Sequence, residues 1–408
     1  MKILVISQVF YPDNVSVAQH LSDLCFSLVK RGHEVEVITS QYPYEIKDTK
    51  YPSLESVNKV TIKRIWSTGF GKKNIVSRLF DFFSFNLSIL NSLISIKKRS
   101  YDIIIGLTAP PLLSYFGAHI AKIKSIKFCY WIMDMQPELA IQSGFIKEHS
   151  LLARILVRLG NSILNNSDKI IVLDRFMKDN LVKKHGIDDN IIAIVPVWPV
   201  IDNHYRGSRL ENPFRIEYGF GDKIVIMYSG NHSFVHPLET LLNLAYELKE
   251  DTRFLFVFIG GGVRKKDVTE FKKKYNLNNI IQLQYQPREK IHFSLGSSDI
   301  QVVILGEGLV GFTHPNKIYG ALFIGKPIIY IGPNQSHITE ILSRLNGNII
   351  VSHGESEELK IKLLNLCDDF EKIEDIGKNN QDMAFKRFDP ELLINEMCTL
   401  IENIPTKS

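Results

Sequence analysis

The chain has 408 residues, 45% hydrophobic and 23% charged, with 49 Lys/Arg against 44 Asp/Glu. This excludes a disordered or fibrous chain, and the length exceeds what one ordinary core absorbs, so two domains of roughly 200 residues are expected. The four cysteines, Cys25, Cys129, Cys367 and Cys398, form no C-x-x-C pair and no metal-ligand spacing, which reads as reduced structural thiols in a cytosolic protein. In chain order, Lys2-Ile-Leu-Val-Ile6 reads as a short strand turning at Tyr11-Pro12, not as a secretion signal. Further strand-like runs are Glu34–Thr39, Val60–Ile65, Asp102–Leu107, Phe128–Ile132, Lys169–Leu173 and Ile191–Val195. Helical patterns fall between them at about 15–31, 75–98, 111–124, 151–166 and 175–184. Such alternation predicts an α/β domain with a parallel, doubly wound sheet over residues 1–200. Residues 201–222, with Asp202-Asn-His-Tyr-Arg-Gly-Ser208, read as a linker. Residues 223–387 repeat the plan with strands at Lys223–Tyr228, Phe254–Ile259, Ile280–Tyr285, Ile300–Leu305 and Ile328–Ile331. Helical patterns follow at 355–387 and 389–403, and the terminal helix of 388–408 is expected to return to the first domain. Two facing Rossmann-like domains would make a cleft outside the carboxyl ends of both sheets, where such folds bind ligands.

Charge is uneven. Residues 1–200 carry 25 Lys/Arg against 17 Asp/Glu, and residues 201–408 carry 24 against 27. A basic first half points to an anionic partner there. No helix-turn-helix, zinc or aromatic RNA-binding signature accompanies it, so nucleic acid is not expected. An anionic membrane surface fits better. Within residues 76–99, Leu79, Phe80, Phe82, Phe83, Phe85 and later apolar residues lie between Arg78 and Lys97-Lys98-Arg99. Asp81, Asn86 and Asn91 interrupt the run, which argues against a spanning helix. A helix in the membrane interface and a buried domain helix both account for it.

Several turns carry chemistry. Gly311-Phe-Thr-His-Pro-Asn-Lys317 precedes a helix that Gly325 stops, with Thr313 as N-cap and Pro315 in the first turn. Pro315, Asn316 and Lys317 would then meet a diphosphate at a helix N-terminus. Ser229-Gly230-Asn231-His232 and Gly260-Gly261-Gly262 each follow a strand, where glycine allows close backbone approach to phosphate. Arg264, Lys265 and Lys266 stand next, and both phosphate-binding and solvated readings are open for them. G-K-[ST] is absent, so this is no P-loop. In the first domain, Asp134 and Glu138 follow a strand, where a carboxylate accepts a proton from a hydroxyl nucleophile or, in the case of Asp134, caps a helix. Pro12, Asp13 and Asn14 occupy the matching end of the first strand, and His20 reads as a polar helix residue.

Together these segments resemble the family-4 glycosyltransferases with the GT-B fold, over nearly the full length. The resemblance rests on Ile3 to Asp13, Leu28 to Thr39, Trp131-Ile-Met-Asp-Met-Gln-Pro-Glu138, Tyr228-Ser-Gly-Asn231, Phe258-Ile-Gly-Gly-Gly262, Tyr285-Gln-Pro287, His314-Pro-Asn-Lys-Ile-Tyr319 and Gly325-Lys-Pro327. The branch it is most similar to is that of bacterial surface-polysaccharide transferases that add an N-acetylated sugar of the N-acetyl-fucosamine type. The resemblance adds Tyr285, Gln286 and Tyr319 to the donor-binding set. The chain also departs from the family: Gly320 stands where the second family glutamate does, and the first falls near Phe312. Glu307 or Glu340 would have to replace the ribose-binding carboxylate, and Lys317 with residues 264–266 the family's Arg/Lys pair, since Asn231-His232-Ser-Phe-Val-His236 stands there. The family histidine before the first-domain aspartate is Met133.

The resemblance implies a retaining glycosyltransferase that moves a sugar from a nucleotide-sugar donor, expected to be a UDP-sugar, to a lipid-linked glycan in O-antigen, capsule or exopolysaccharide synthesis. No spaced metal-binding carboxylate motif occurs, so no cofactor and no metal are expected, and the enzyme would sit peripherally on the inner face of the plasma membrane. Two other readings stay open: a GT-B-fold nucleotide-sugar epimerase and a non-catalytic partner subunit of a transferase.

Overall fold

The computed structural model describes residues 1–43, 50–70, 75–108, 110–201, 205 and 207–405, with the side chains of 75, 76, 78, 79 and 111 outside that description. The chain forms two compact units. Unit 1 comprises Met1–Pro196, Gly311–His314 and the residues from Glu391 onward; unit 2 comprises Val197–Val310 and Pro315–Pro390.

Unit 1 runs β1 (Lys2–Ile6), α1 (Ser16–Lys30), β2 (Glu34–Ser40), β3 (Leu54–Val57), β4 (Val60–Ile65), α2 (Ile75–Ile94) and β5 (Ile103–Leu107). It continues with α3 (Pro111–Lys124), β6 (Lys127–Trp131), α4 (Glu138–Gln142), α5 (Leu151–Asn165), β7 (Lys169–Val172), α6 (Arg175–His185) and β8 (Ile192–Ile194). Its sheet is ordered β3-β4-β2-β1-β5-β6-β7-β8, parallel except for β3. Ile103–Leu107 is buried throughout, as expected of a strand covered by helices on both faces. The antiparallel β3 was not expected. It reads Leu-Glu-Ser-Val, half exposed, and turns back through Asn58 and Lys59, both at positive φ. That is the backbone of a two-residue hairpin turn.

Caps define several helices. Ser150 accepts from Ala153 N at the head of α5, and Asp174 from Met177 N at the head of α6, which Gly186 closes in the left-handed conformation. The terminal helix belongs to unit 1, where the carboxylate of Glu402 accepts from Arg31 and faces His33 Nε2 at 2.7 Å. Those partners hold its carboxyl down at about 2.

Unit 2 runs α7 (Pro213–Glu217), β9 (Ile224–Ser229), α8 (Glu239–Glu247), β10 (Phe254–Ile259), α9 (Lys265–Tyr275), β11 (Ile280–Leu283) and α10 (Ile291–Gly296). Next come β12 (Ile300–Ile304), α11 (Lys317–Phe323), β13 (Ile328–Ile331), α12 (His337–Leu342), β14 (Ile349–Val351), α13 (Ser356–Cys367) and α14 (Phe370–Arg387); the last helix, α15 (Pro390–Glu402), counts with unit 1 from Glu391 on. Its sheet, β11-β10-β9-β12-β13-β14, is wholly parallel. The order reverses between β9 and β12, the switch point outside which doubly wound sheets bind ligands. The single helical pattern at 355–387 splits because Asp369 caps a new helix through Glu371 N.

The expected linker 201–222 counts with unit 2. Asp202, Asn203, His204 and Arg206 lie outside the described residues. Downstream, Asn212 caps α7 and the side chains of Arg209 and Arg215 converge on Asp299. Asp299 Oδ2 also accepts from Val225 N at 2.7 Å, so these charges fasten the segment to the first strand of the sheet.

Candidate functional site

In unit 2, two glycine turns lie side by side at the carboxyl ends of β9 and β10. Gly230 N donates to Ile259 O, and His232 N to Gly261 O at 2.7 Å. Gly230 and Gly260 have φ of +132° and +131°. A Cβ at Gly260 would stand 2.1 Å from Gly230 O, and one at Gly230 2.5 Å from Lys317 Cε. Both positions are therefore closed to any side chain, and Lys317 packs directly on bare backbone. Its Nζ lies 5.1 Å from the centre of the Tyr228 ring. Burial pushes the ammonium down to about 8.

Two imidazoles border this lysine. His232 is buried against Tyr228 and Phe258, and burial, then Lys317, pushes its pKa down to about 4. His236 Nδ1 lies 2.7 Å from Ile304 O and, for the same two causes, falls well below the usual histidine range. Lys317 is the cation that packs on the bare turns, while its charged neighbours hold other partners. Arg264 donates to Glu239 and Asp267, and Lys265 to Gln284.

The remaining expected donor residues divide. Tyr285 lays its ring against Gly260 and Gly261 and its hydroxyl reaches Gly261 O at 3.3 Å; the Gln286 amide donates to Gln284 O. Asn231 Oδ1 stands where a Cβ on Gly262 would come within 2.4 Å. Pro315 and Asn316 precede α11, which begins only at Lys317. Asn316 Oδ1 is buried with no hydrogen-bond partner. Tyr319 is a core side chain against Phe388, its hydroxyl 3.5 Å from His337 Nε2. Gly320 faces the methyl groups of Ile201 and Leu295, an apolar setting with no carboxylate in it. Glu340 lies 3.8 Å from His337, and Glu307 is exposed.

Thr313 does not cap α11 as expected. Asn316 occupies the cap position without a side-chain bond, while residues 311–314 belong to unit 1. There Thr313 Oγ1 donates to Asp134 Oδ1 at 2.6 Å, within an antiparallel bridge that Met135 N to Phe312 O extends. Asp134 is not a helix cap either. Burial pushes its carboxyl up to about 6, with the Thr313 hydroxyl and His314 pulling the other way. His314 is itself buried, its Nδ1 2.7 Å from Asp174. Glu138 has different company: His185 at 3.4 Å, whose other nitrogen is 2.7 Å from Asn161, at a small cavity lined also by Thr108, Tyr130 and Gln136. The structure thus gives the two carboxylates separate surroundings.

On β1's carboxyl end, Pro12 and Asn14 are exposed, Asp13 N donates to Phe10 O, and Asn14 O accepts from Gln19. His20 Nδ1 bonds Ser16 O within its own helix. Sequence reasoning missed His236, Asp174, His185 and the buried role of His314. Only Asp174 left a signal, as an acidic residue between a strand and a helix. Among the described residues, no three His, Cys, Asp or Glu side chains converge as metal ligands.

The glycosyltransferase family 4 model matches residues 17–197, and the glycosyl transferases group 1 model matches residues 212–383. The protein named "Probable glycosyltransferase WbjE" of Pseudomonas aeruginosa is 25% identical over 270 residues, which is 65% of this chain and 65% of that protein, just under two thirds of its length. The sucrose-phosphate synthase of Thermosynechococcus elongatus superposes at a TM-score of 0.77 with 13% identity, covering 99% of each chain. HepE of Anabaena, solved in complex with UDP and glucose, superposes at 0.71 with 15% identity, covering 98% of this chain and 99% of its own. Two matched family models over two doubly wound units establish that the chain belongs to the family-4 glycosyltransferases of GT-B fold.

Proposed function

We propose that this protein transfers a sugar from a nucleotide diphosphate donor, a UDP-sugar, to a lipid-linked glycan, with retention at the anomeric carbon and without a metal, in bacterial surface-polysaccharide synthesis. One observation carries the donor side: two glycine turns at the carboxyl ends of β9 and β10 present bare backbone around Lys317. A diphosphate leaving group is stabilised there by fixed N–H dipoles and one ammonium, an electrostatic rather than covalent contribution. The UDP bound by HepE supports the choice of base. In unit 1, Asp134 takes the proton of the acceptor hydroxyl.

A lipid-linked acceptor is supported by α2. Phe85, Ile89 and Leu93 are buried, whereas Phe80, Phe83, Leu87 and Ile94 are exposed on the opposite face. Ile123 on α3 and Leu151, Leu152 and Ile155 on α5 are exposed too, and Lys97, Lys98 and Arg99 follow α2 in an exposed turn. Arg78 and Leu79 lie outside the described side chains. Apolar and basic groups together on one helix layer suit an anionic interface, and among the described residues no helix is long and apolar enough to cross a membrane. The test is calorimetric titration with UDP-, GDP- and dTDP-sugars, then product analysis on a lipid-linked acceptor with and without EDTA. Binding of none of these donors, an inverted product or EDTA-sensitive turnover would each remove the corresponding part.

A further inference from the structure

His232 lies buried beside Lys317. It is 1% exposed, and neither ring nitrogen has a hydrogen-bond partner. Burying such a group unpaired is unfavourable, so a buried imidazole with both nitrogens unmatched points to a partner that arrives from outside. The groups acting on the ring come from every neighbouring element: Tyr228 on β9, Lys317 on α11, Lys265 on α9, and the carbonyls of Gly230 and Gly261, neither of which closes a hydrogen bond on it. His236 stands ahead of α8, Tyr285 beyond β11, and Arg264 is taken by Glu239 and Asp267. Both side-chain charges acting on the ring, Lys317 and Lys265, are positive. His236 differs in one respect. A carbonyl only accepts, so Nδ1 of His236 donates to Ile304 O and its place is fixed without any ligand.

We propose that His232 is a ligand of the donor's diphosphate, neutral in the free protein and taking up a proton as the diphosphate binds, so that the anion meets two positive charges rather than one. This rests on the donor reading above. Burial first, then the cationic field of Lys317, keeps the ring neutral, and a diphosphate reverses the sign of that field at short range. An opposite charge within about 4–6 Å raises an imidazole by roughly 1–3 units. Because the bound form holds the extra proton, affinity must rise as pH falls, starting at the bound-state pKa and levelling off below the free-state value of about 4.

The probe is UDP-glucose, whose two phosphates carry no proton across this range. Calorimetry from pH 5 to 8 in buffers of different ionisation enthalpy reads both affinity and protons taken up. Wild type is expected to take up a proton below about pH 7, with affinity rising by up to about tenfold per pH unit. His232→Asn, checked for folding by its melting curve, should flatten that slope and abolish the uptake below pH 7, leaving only the uptake near pH 8 that belongs to Lys317, whereas His236→Asn should retain both. An unchanged slope in His232→Asn, or one lost in His236→Asn instead, overturns the proposal while leaving the donor reading standing. Failure of UDP-glucose to bind at any pH, with UDP also silent, sinks both.

Discussion

Lys317 is the residue on which the donor reading turns. It is the side chain that Gly230 makes room for, and Arg264 and Lys265 are engaged with other partners. Lys317→Ala should weaken UDP-sugar binding by about 1.5–3 kcal/mol, the range for a charge-assisted hydrogen bond, and calorimetry on the folded variant reads it. Asp134 makes a different prediction. With its carboxyl pushed up to about 6, it is mostly ionised above pH 7 and loses its capacity to accept a proton as pH falls through 6. Turnover should therefore show an acid limb near pH 6, and Asp134→Asn should lower kcat with nucleotide affinity nearly intact. Full turnover in that variant would leave Asp134 as no more than the partner of Thr313. These two residues also show how far a sequence carries. Lys317 stood out in the sequence as a lysine in the first turn of a helix that Gly325 stops, and α11 does begin there, but its packing on Gly230 was not legible. Nor was the true partner of Thr313, because a Thr two residues before a proline reads as a cap, and the competing acceptor lies 179 positions away. The unmatched nitrogens of His232 leave no trace in sequence at all, since only packing reveals them.

At the level of elements, the strands buried on both faces were the most legible part of the fold. Phe254–Ile259 has all six residues buried and is a continuous apolar run that reads as one thing only. Short pieces were illegible for the converse reason. Leu54–Val57 is a half-exposed edge strand without an apolar run, and α7, with five residues, offers less than two turns of periodicity. What holds the α7 segment is electrostatic. Asp299 sits between Arg209 and Arg215, and both it and Arg215 are buried. Asp299→Ala leaves a buried guanidinium without its carboxylate, which should cost about 3–5 kcal/mol. Urea unfolding of unit 2 measures it. A loss below about 1 kcal/mol would mean that backbone carbonyls, such as Ser297 O on Arg215, suffice.

For the whole molecule, the question is where it works. The basic half of the sequence carries the exposed apolar residues of α2, α3 and α5. Each Lys or Arg near an anionic leaflet contributes on the order of 1 kcal/mol, and salt screens the attraction over about 10 Å at 0.1 M. Liposomes with anionic lipid should therefore co-sediment the protein more than neutral ones, less so as salt rises. Replacing Lys97, Lys98 and Arg99 by Gln should reduce the difference. Equal sedimentation with both liposome types would return α2 to the role of an ordinary domain helix.

The helix that ends at Glu402 has one more consequence, which concerns order in time. Unit 1 is discontinuous: Met1–Pro196 must be joined by Gly311–His314 and then by the residues after Pro390. On the ribosome, domains ordinarily fold as units in the order they emerge. Here unit 1 waits for unit 2 to be made, because Arg31 and His33 receive Glu402 only after the residues of unit 2 have been synthesised. Until then Cys25 and the side of α1 that meets Cys398 have no cover. The nascent first half is thus an unfinished body, open to chaperones and to aggregation for as long as the second half takes to appear.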